Sequence, residues 1–206
     1  MDPYDFHRFW KWKIEVEAGK GNILDDNHRK ETFNILRKAL PKWKTYRPFK
    51  SAKCLKVLEV SLEKIAEAYD QIRNYELLEF SKVPAELLKL IWHELGRAKE
   101  RKGVVNSEGY YYIVAVSKPL LFLWGQTLAF DSIVRSNIPR FGIYSYLIAN
   151  TRWSFETWVK TMGNFADLLH NQPDAIEVFK KEAEIKYGKD YVVPYGRFLD
   201  IYYYVE

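Results

Sequence analysis

The stretch SAKCLKVLEVSLEKIAEAYD, from Ser51 to Asp70, has the most regular apolar spacing in the chain. Its apolar residues recur three or four positions apart, at Leu55, Leu58, Leu62, Ile65, Ala66 and Tyr69. This period puts them on one face of an α-helix, whereas a half-buried strand would show strict alternation. Ser51 is a residue type favoured at the N-cap. The sequence therefore predicts a long amphipathic helix that begins after Ser51.

Comparable patterns predict helices along most of the chain, with limits set by proline, glycine and capping residues. The expected spans are approximately 2–18, 25–41, 51–69, 85–103, 110–125, 131–138, 142–150, 152–170, 173–187 and 196–204. The predicted fold class is all-α. We expect one domain, residues 1–206, made of two packed helical lobes: 1–103 and an aromatic-rich lobe, 109–206.

The segment GYYYIVAVSKPLLFLWG, from Gly109 to Gly125, is apolar nearly all round. This composition is typical of a fully buried helix, which Pro119 is expected to interrupt. The β-branched and aromatic residues of Tyr110–Val116 also allow a strand. We favour a helix because no hairpin partner lies nearby in the sequence.

The composition excludes several classes of protein. Of the 206 residues, 48% are apolar and 17% aromatic, which is enough for a sizeable core. No apolar run reaches membrane-spanning length, and the N-terminus lacks a signal-peptide layout, so we expect a cytoplasmic location and no membrane span. A single cysteine, Cys54, excludes an internal disulfide. The four histidines are scattered and no phosphate-binding glycine loop is present, so neither a metal nor a cofactor is expected.

The strongest charge feature is RKALPKWKTYRPFKSAKCLK, from Arg37 to Lys56, which we call the basic segment. It holds eight basic residues and no acid, whereas the whole chain has 32 Lys plus Arg against 27 Asp plus Glu. Outside the basic segment the net charge is −3, compared with +5 for the whole chain. A polyanion such as nucleic acid needs both the cations and flat side chains for stacking. The expected nucleic-acid-binding residues are Lys42, Trp43, Lys44, Tyr46, Arg47, Lys50 and Lys53.

The same pattern has a structural interpretation. Trp43, Tyr46 and Phe49 can instead fill the core while the charges are simply solvated. An anionic membrane surface is less favoured because these aromatics do not form the face of an amphipathic helix. The basic segment therefore indicates a class of partner, and its meaning depends on which way the three rings face.

A second candidate site lies in the apolar half of the chain. Lys118, Asp131 and Arg135 are the only charged residues between Gly109 and Pro139. A desolvated lysine can act as a nucleophile, and a carboxylate can stabilise a developing cation. Lys118 and Asp131 are therefore the candidate catalytic residues. Alternatively, Asp131 caps a helix and Arg135 pairs with it one turn later.

Two strings around these residues carry a resemblance, together with a later Arg-x-x-Asp. They are Ser117-Lys118-x-Leu120-x-Phe122-Leu123 and Phe130-Asp131-Ser132-x-Val134-Arg135, with Arg197 and Asp200 in the tail. The set resembles a signature of little-characterised prokaryotic helical proteins, which are in turn distantly similar to helix-hairpin-helix DNA glycosylases. The resemblance implies a helical fold, DNA as partner and, if activity is retained, Asp131 stabilising an oxocarbenium-like sugar with Lys118 nearby.

The chain also departs from the glycosylase pattern. The hairpin of those enzymes has a Gly-h-Gly turn, whereas Ile138–Ile143 contains one glycine, and Asp167 is a poor match for their catalytic aspartate. The first hypothesis is therefore a nucleic-acid-binding helical protein, either a divergent glycosylase-like enzyme or an inactive relative. The alternative is a non-catalytic module with a protein partner, such as a toxin–antitoxin or defence-system component.

Overall fold

Helices form nearly all the secondary structure of the computed structural model, which describes residues 3–43, 52–98, 109–141, 150–188 and 193–203. The α-helices are α1 Pro3–Ala18, α2 Arg29–Lys42, α3 Ala52–Lys64, α4 Ala66–Ile72, α5 Ala85–Arg97, α6 Ile113–Trp124, α7 Ser132–Asn137, α8 Phe155–His170, α9 Pro173–Tyr187 and α10 Tyr195–Tyr203. Leu77–Lys82 and Ile138–Phe141 are short 3-10 helices, and β1 Tyr111–Tyr112 and β2 Arg152–Trp153 are strands. The all-α prediction is confirmed.

The small sheet explains the mixed signal of the segment that begins at Gly109. Tyr111 pairs with Trp153 and Tyr112 with Arg152, in an antiparallel arrangement. The strand is therefore real but two residues long, and its partner is distant in sequence. From Ile113 onward the favoured helix is confirmed, and every residue from Ala115 to Trp124 is buried. Pro119 lies within this helix and does not interrupt it.

Three predicted helix limits were wrong, one of them the end of α5, which lies at Arg97 and not near Gly103. The helix expected to continue to Tyr69 breaks at Ile65, whose dihedrals of φ −91° and ψ −3° separate α3 from α4. The helix expected from Asp25 begins at Arg29. The Asp25 carboxylate instead accepts hydrogen bonds from the backbone N–H groups of Asn27 and His28, which holds a turn before the helix. The helix expected at 142–150 lies almost wholly outside the described residues.

Aromatic side chains from helices far apart in sequence form the centre of the core. Phe6 and Phe9 of α1 contact Phe122 of α6, with ring centroids 5.5 and 5.6 Å apart. Trp43, at the end of α2, lies 4.8 Å from the same Phe122 ring. Offset and edge-to-face contacts of this kind add to the burial of apolar area. The first, second and sixth helices are thereby held around one aromatic cluster.

The loop between α6 and α7, residues 125–131, brings α10 into the core. Gly125 has φ +76°, and a Cβ there would lie 2.5 Å from Trp10 and from Pro194. A Cβ on Gly196 would lie 2.3 Å from the backbone nitrogen of Thr127. The Arg197 N–H donates to the Gly125 carbonyl, at 3.2 Å. Glycine at these positions allows the start of α10 to pack directly on the loop backbone.

No helix within the described ranges is both long enough and apolar enough to cross a membrane.

Candidate functional site

The structure brings Lys118 and Asp131 together. Lys118 lies on α6 with only 3% of its surface exposed, and its Nζ is 3.5 Å from the Asp131 carboxylate. The same ammonium donates a hydrogen bond of 2.6 Å to the backbone carbonyl of Trp43. A buried charge needs a counter-ion and hydrogen-bond partners, and Lys118 has both. Its amine therefore ties the end of α2 to the start of α7.

Asp131 also serves as the N-cap of α7. Its Oδ1 accepts hydrogen bonds from the backbone N–H groups of Ile133 and Val134, at 3.1 and 3.2 Å. Arg135, one turn later, donates from Nη1 to the Asn150 carbonyl at 2.9 Å. Burial lowers the pKa of Arg135, and the charge of Asp131 opposes that shift. The capping interpretation of Asp131 is confirmed by these bonds.

Arg197 and Asp200 form a second buried ion pair, on α10. Arg197 Nη1 donates to the Asp200 carboxylate, whose other oxygen accepts from the Ala129 backbone N–H at 2.8 Å. The Arg197 guanidinium lies 5.1 Å from the Phe6 ring and 5.2 Å from the Trp43 ring. A guanidinium next to two aromatic rings gains cation–π attraction in addition to its ion pair.

The two pairs belong to one network, which we call the buried charge network: Lys118, Asp131, Arg197 and Asp200. The Ala129 backbone connects its parts, because its N–H donates to Asp200 and its carbonyl accepts from Ser117 Oγ at 2.6 Å. The residues that carry the resemblance in the sequence thus lie together in space. They hold the loop 125–131 between α6 and α10.

The electrostatics of the network follow from its burial. Asp200 is fully buried, and loss of solvation raises its pKa. The nearby Asp131 charge acts in the same direction, while Arg197 and the Ala129 N–H oppose it. Two cations and two carboxylates in so small a volume offset one another, which is the usual condition for burying charge. A substrate carbonyl would have to displace the Trp43 carbonyl to reach Lys118 Nζ. The geometry is that of a structural brace.

The basic segment is described at its two ends only. Lys42 is 59% exposed at its side chain and forms a 2.9 Å ion pair with Asp5 of α1. Lys44, Tyr46, Arg47 and Lys50 lie outside the described residues, and Lys53 is described in its backbone alone. Arg37 and Lys38 on α2 and Lys56 on α3 are exposed and form no ion pair with the described residues.

The ring of Trp43 faces the core, whereas the described cations of the basic segment are exposed. Its indole is 1% exposed, between Phe6, Phe122 and Arg197. A base cannot stack on a ring that has no free face, so for Trp43 the core interpretation is correct. Because its carbonyl also accepts from Lys118, this residue fixes the point at which the chain enters the rest of the basic segment.

Sequence reasoning did not single out a further polar group on α1. Lys13 is 4% exposed and donates to Glu17, and Glu17 also lies 3.8 Å from Arg73 and 3.4 Å from the hydroxyl of Tyr69. Burial lowers the pKa of Lys13 and raises that of Tyr69. A lysine on the apolar stripe of a helix, with a glutamate four residues later, was the available signal.

Within the described ranges, no group of histidine, cysteine or acidic side chains has the arrangement needed to hold a metal ion. Comparison with models of protein families, with curated proteins and with solved structures gave no match.

Proposed function

We propose that the protein binds nucleic acid through the basic segment and performs no chemistry on it. The observation that carries this proposal is the separation of charge: eight cations and no acid in Arg37–Lys56, on a chain whose remainder has a net charge of −3. Phosphate contacts supply most of the affinity of nonspecific nucleic-acid binding. Nonspecific electrostatic attraction by the whole surface does not fit a protein that is slightly acidic elsewhere.

The exposed cations at the two ends support this assignment. Arg37, Lys38 and Lys56 are exposed and form no ion pair with the described residues, so contact with phosphates costs them no internal partner. Lys42 differs because a nucleic acid would compete with Asp5 for its ammonium. We therefore assign Lys42 a smaller share of the binding energy than the other cations of the basic segment.

A binding role without catalysis fits the state of the candidate catalytic pair. Lys118 Nζ already donates to a backbone carbonyl, and Asp131 already caps α7. A nucleophilic amine needs an unprotonated lone pair facing the substrate, and a group whose hydrogens are held by a carbonyl and a carboxylate does not present one. These contacts favour a structural role for the pair, in which Lys118 holds the backbone of Trp43.

The proposal is tested by fluorescence anisotropy with labelled 20-nucleotide DNA and RNA at two salt concentrations. If three phosphates of a single strand are contacted, the affinity should fall about 18-fold between roughly 50 and 200 mM salt, since each contact contributes about −0.7 to the logarithmic slope. The variant K44E/R47E/K50E should lose binding. The variant K30E/K89E/K181E changes the net charge equally at exposed sites elsewhere and should retain it.

Equal affinity of both variants for the oligonucleotides would refute the proposal. Circular dichroism should show wild-type helix content for the control, whose substituted residues are exposed, and the same spectrum for K44E/R47E/K50E is required before its loss of binding is interpreted. A stoichiometric protein partner that survives nuclease treatment and is lost only in K44E/R47E/K50E would instead favour the alternative, a protein-interaction module whose basic segment meets an acidic surface.

A further inference from the structure

A cleft of about 310 Å³ opens between α1, the end of α4, the end of α6 and the start of α10. It is separate from the buried charge network. Its apolar walls include the side chains of Trp10, Ile14 and Tyr195, and its polar lining includes Lys13, Glu17, Glu76, Gln126 and Lys180. A volume near 300 Å³, aromatic walls and a few polar groups are the usual features of a small-molecule site.

Lys13, Glu17 and Arg73 at the base of the cleft are paired, whereas the exposed side chains of Asn74 and Glu76, which also line it, form no ion pair or hydrogen bond with the described residues. Lys13 donates to Glu17, and Arg73 donates to the Gly21 carbonyl at 3.1 Å and pairs with Asp70 at 2.9 Å. These contacts neutralise the charges at the base of the cleft. They also keep Lys13 in place over the Trp10 ring, 5.0 Å from its centroid.

Among the less exposed groups of the cleft is the amide of Gln126, which is 8% exposed. Its Oε1 accepts a hydrogen bond of 2.9 Å from the Leu77 backbone N–H. Because a backbone N–H can only donate, this bond fixes which end of the amide is the oxygen. The Nε2 group then has two donors and no partner among the described residues. These donors face the cleft, where an acceptor on a bound molecule can take them.

The mouth of the cleft carries a cation without an acidic partner. Lys180 of α9 lies 5.3 Å from the Tyr195 ring centroid, and it forms no ion pair with the described residues. The next residue, Lys181, is paired with Glu177 at 2.9 Å and does not line the cleft. The two lysines therefore have the same charge but different surroundings, and only the first can attract an anion to the cleft.

We propose that this cleft binds a small planar ring compound with a hydrogen-bond acceptor for Gln126 and an anionic group for Lys180. The aromatic walls provide contact area for the ring, the free amide donors select an acceptor on it, and the lysine at the mouth pairs with the anion. Mononucleotides have this chemistry: a flat heterocycle with ring acceptors and a phosphate arm. The site does not use the basic segment, so it is independent of the proposed nucleic-acid binding.

Isothermal titration calorimetry of the full chain with AMP and with adenosine tests the assignment. We expect AMP to bind with a Kd below about 1 mM and adenosine to bind about tenfold more weakly, because it lacks the phosphate. Lys180→Glu should weaken AMP binding by about tenfold or more and leave adenosine within about twofold. Lys181→Glu is the matched control and should leave both affinities unchanged.

Gln126→Glu tests the interior donor. It retains an oxygen for the Leu77 N–H but replaces the amide donors with a second acceptor, so both ligands should bind at least about tenfold more weakly. Lys180→Glu is a surface change, which keeps the test decisive even if the buried variant does not fold. Absence of AMP binding at about 5 mM, equal effects of the two lysine variants, or equal wild-type affinities for AMP and adenosine would each overturn the proposal. The variant K44E/R47E/K50E should bind AMP normally, which separates this result from the fate of the nucleic-acid proposal.

Discussion

Replacement of Lys118 by methionine should destabilise the protein strongly although it preserves side-chain length and apolar volume. The lysine Nζ donates to the Trp43 carbonyl at 2.6 Å and pairs with Asp131 at 3.5 Å, in a position that is 97% buried. Methionine fills the same space without a cavity, so packing loss is a minor part of the effect. What changes is that one carbonyl and one carboxylate lose their cation.

The magnitude follows from those two losses. An unsatisfied buried carbonyl costs about 1–3 kcal/mol. Breaking a fully buried ion pair costs about 3–5 kcal/mol. Asp131 retains 17% side-chain exposure and two backbone N–H donors, so the cost of breaking this pair should lie below that range. We expect a total near 3 kcal/mol. For a chain of this length that corresponds to a fall in Tm of about 6–12 °C.

Urea unfolding followed by tryptophan fluorescence and by circular dichroism measures the effect. Lys89→Met, at an exposed position of α5, is the control and should change the free energy of unfolding by no more than about 0.5 kcal/mol. Asp131→Asn retains the cap but removes the charge, so it should cost less in the Lys118→Met background than in the wild type, with a coupling of about 1–2 kcal/mol. A Lys118→Met variant as stable as the control, with no coupling to Asp131, would show that this pair does not brace the fold.

Two further predictions concern α10. Gly196→Ala should destabilise the protein by about 3 kcal/mol or more, because the new Cβ would lie 2.3 Å from the backbone nitrogen of Thr127. Gly163→Ala in α8 is the control. No atom lies within 4 Å of its new Cβ, so it should stabilise the protein by about 0.5–1 kcal/mol. Equal Tm values for the two would contradict this packing. Burial raises the folded-state pKa of Asp200, so the folded protein binds the extra proton and the contribution of this residue to stability decreases as pH rises through that pKa. The destabilisation caused by Asp200→Asn should therefore be larger at acidic than at neutral pH in urea unfolding, and a difference that grows with pH would contradict the burial argument.

The sequence predicted those elements whose limits are set locally. The helix Pro173–Tyr187 begins at its proline and ends before Gly188, and Asp131 caps α7 as its position suggested. The break at Ile65 was not predictable in this way, because the apolar stripe continues through it without a glycine or proline. Ile65 is fully buried, and both neighbouring helices pack on α5, so tertiary contacts determine the break.

The candidate site was predictable only in part. A lysine and an aspartate isolated in an apolar region have to find partners, and this argument correctly brought Lys118 and Asp131 to attention. Their partners were not predictable from spacing, since the Trp43 carbonyl is 75 positions from Lys118. Gln126 gave no signal at all, because its role in the cleft depends on the backbone of Leu77, 49 positions away.

The bond between Asp200 and Ala129 spans 71 positions and also has a consequence for the order of events during synthesis. Translation delivers Lys118 and Asp131 well before Arg197 and Asp200, so a nascent chain holds an incomplete set of buried charges until α10 has left the ribosome. Domains fold as units as they emerge, and intermediates with exposed core surface aggregate readily. A chain truncated before Tyr195 should therefore be protease-sensitive around loop 125–131, whereas a chain that includes Tyr195–Tyr203 should be protected there.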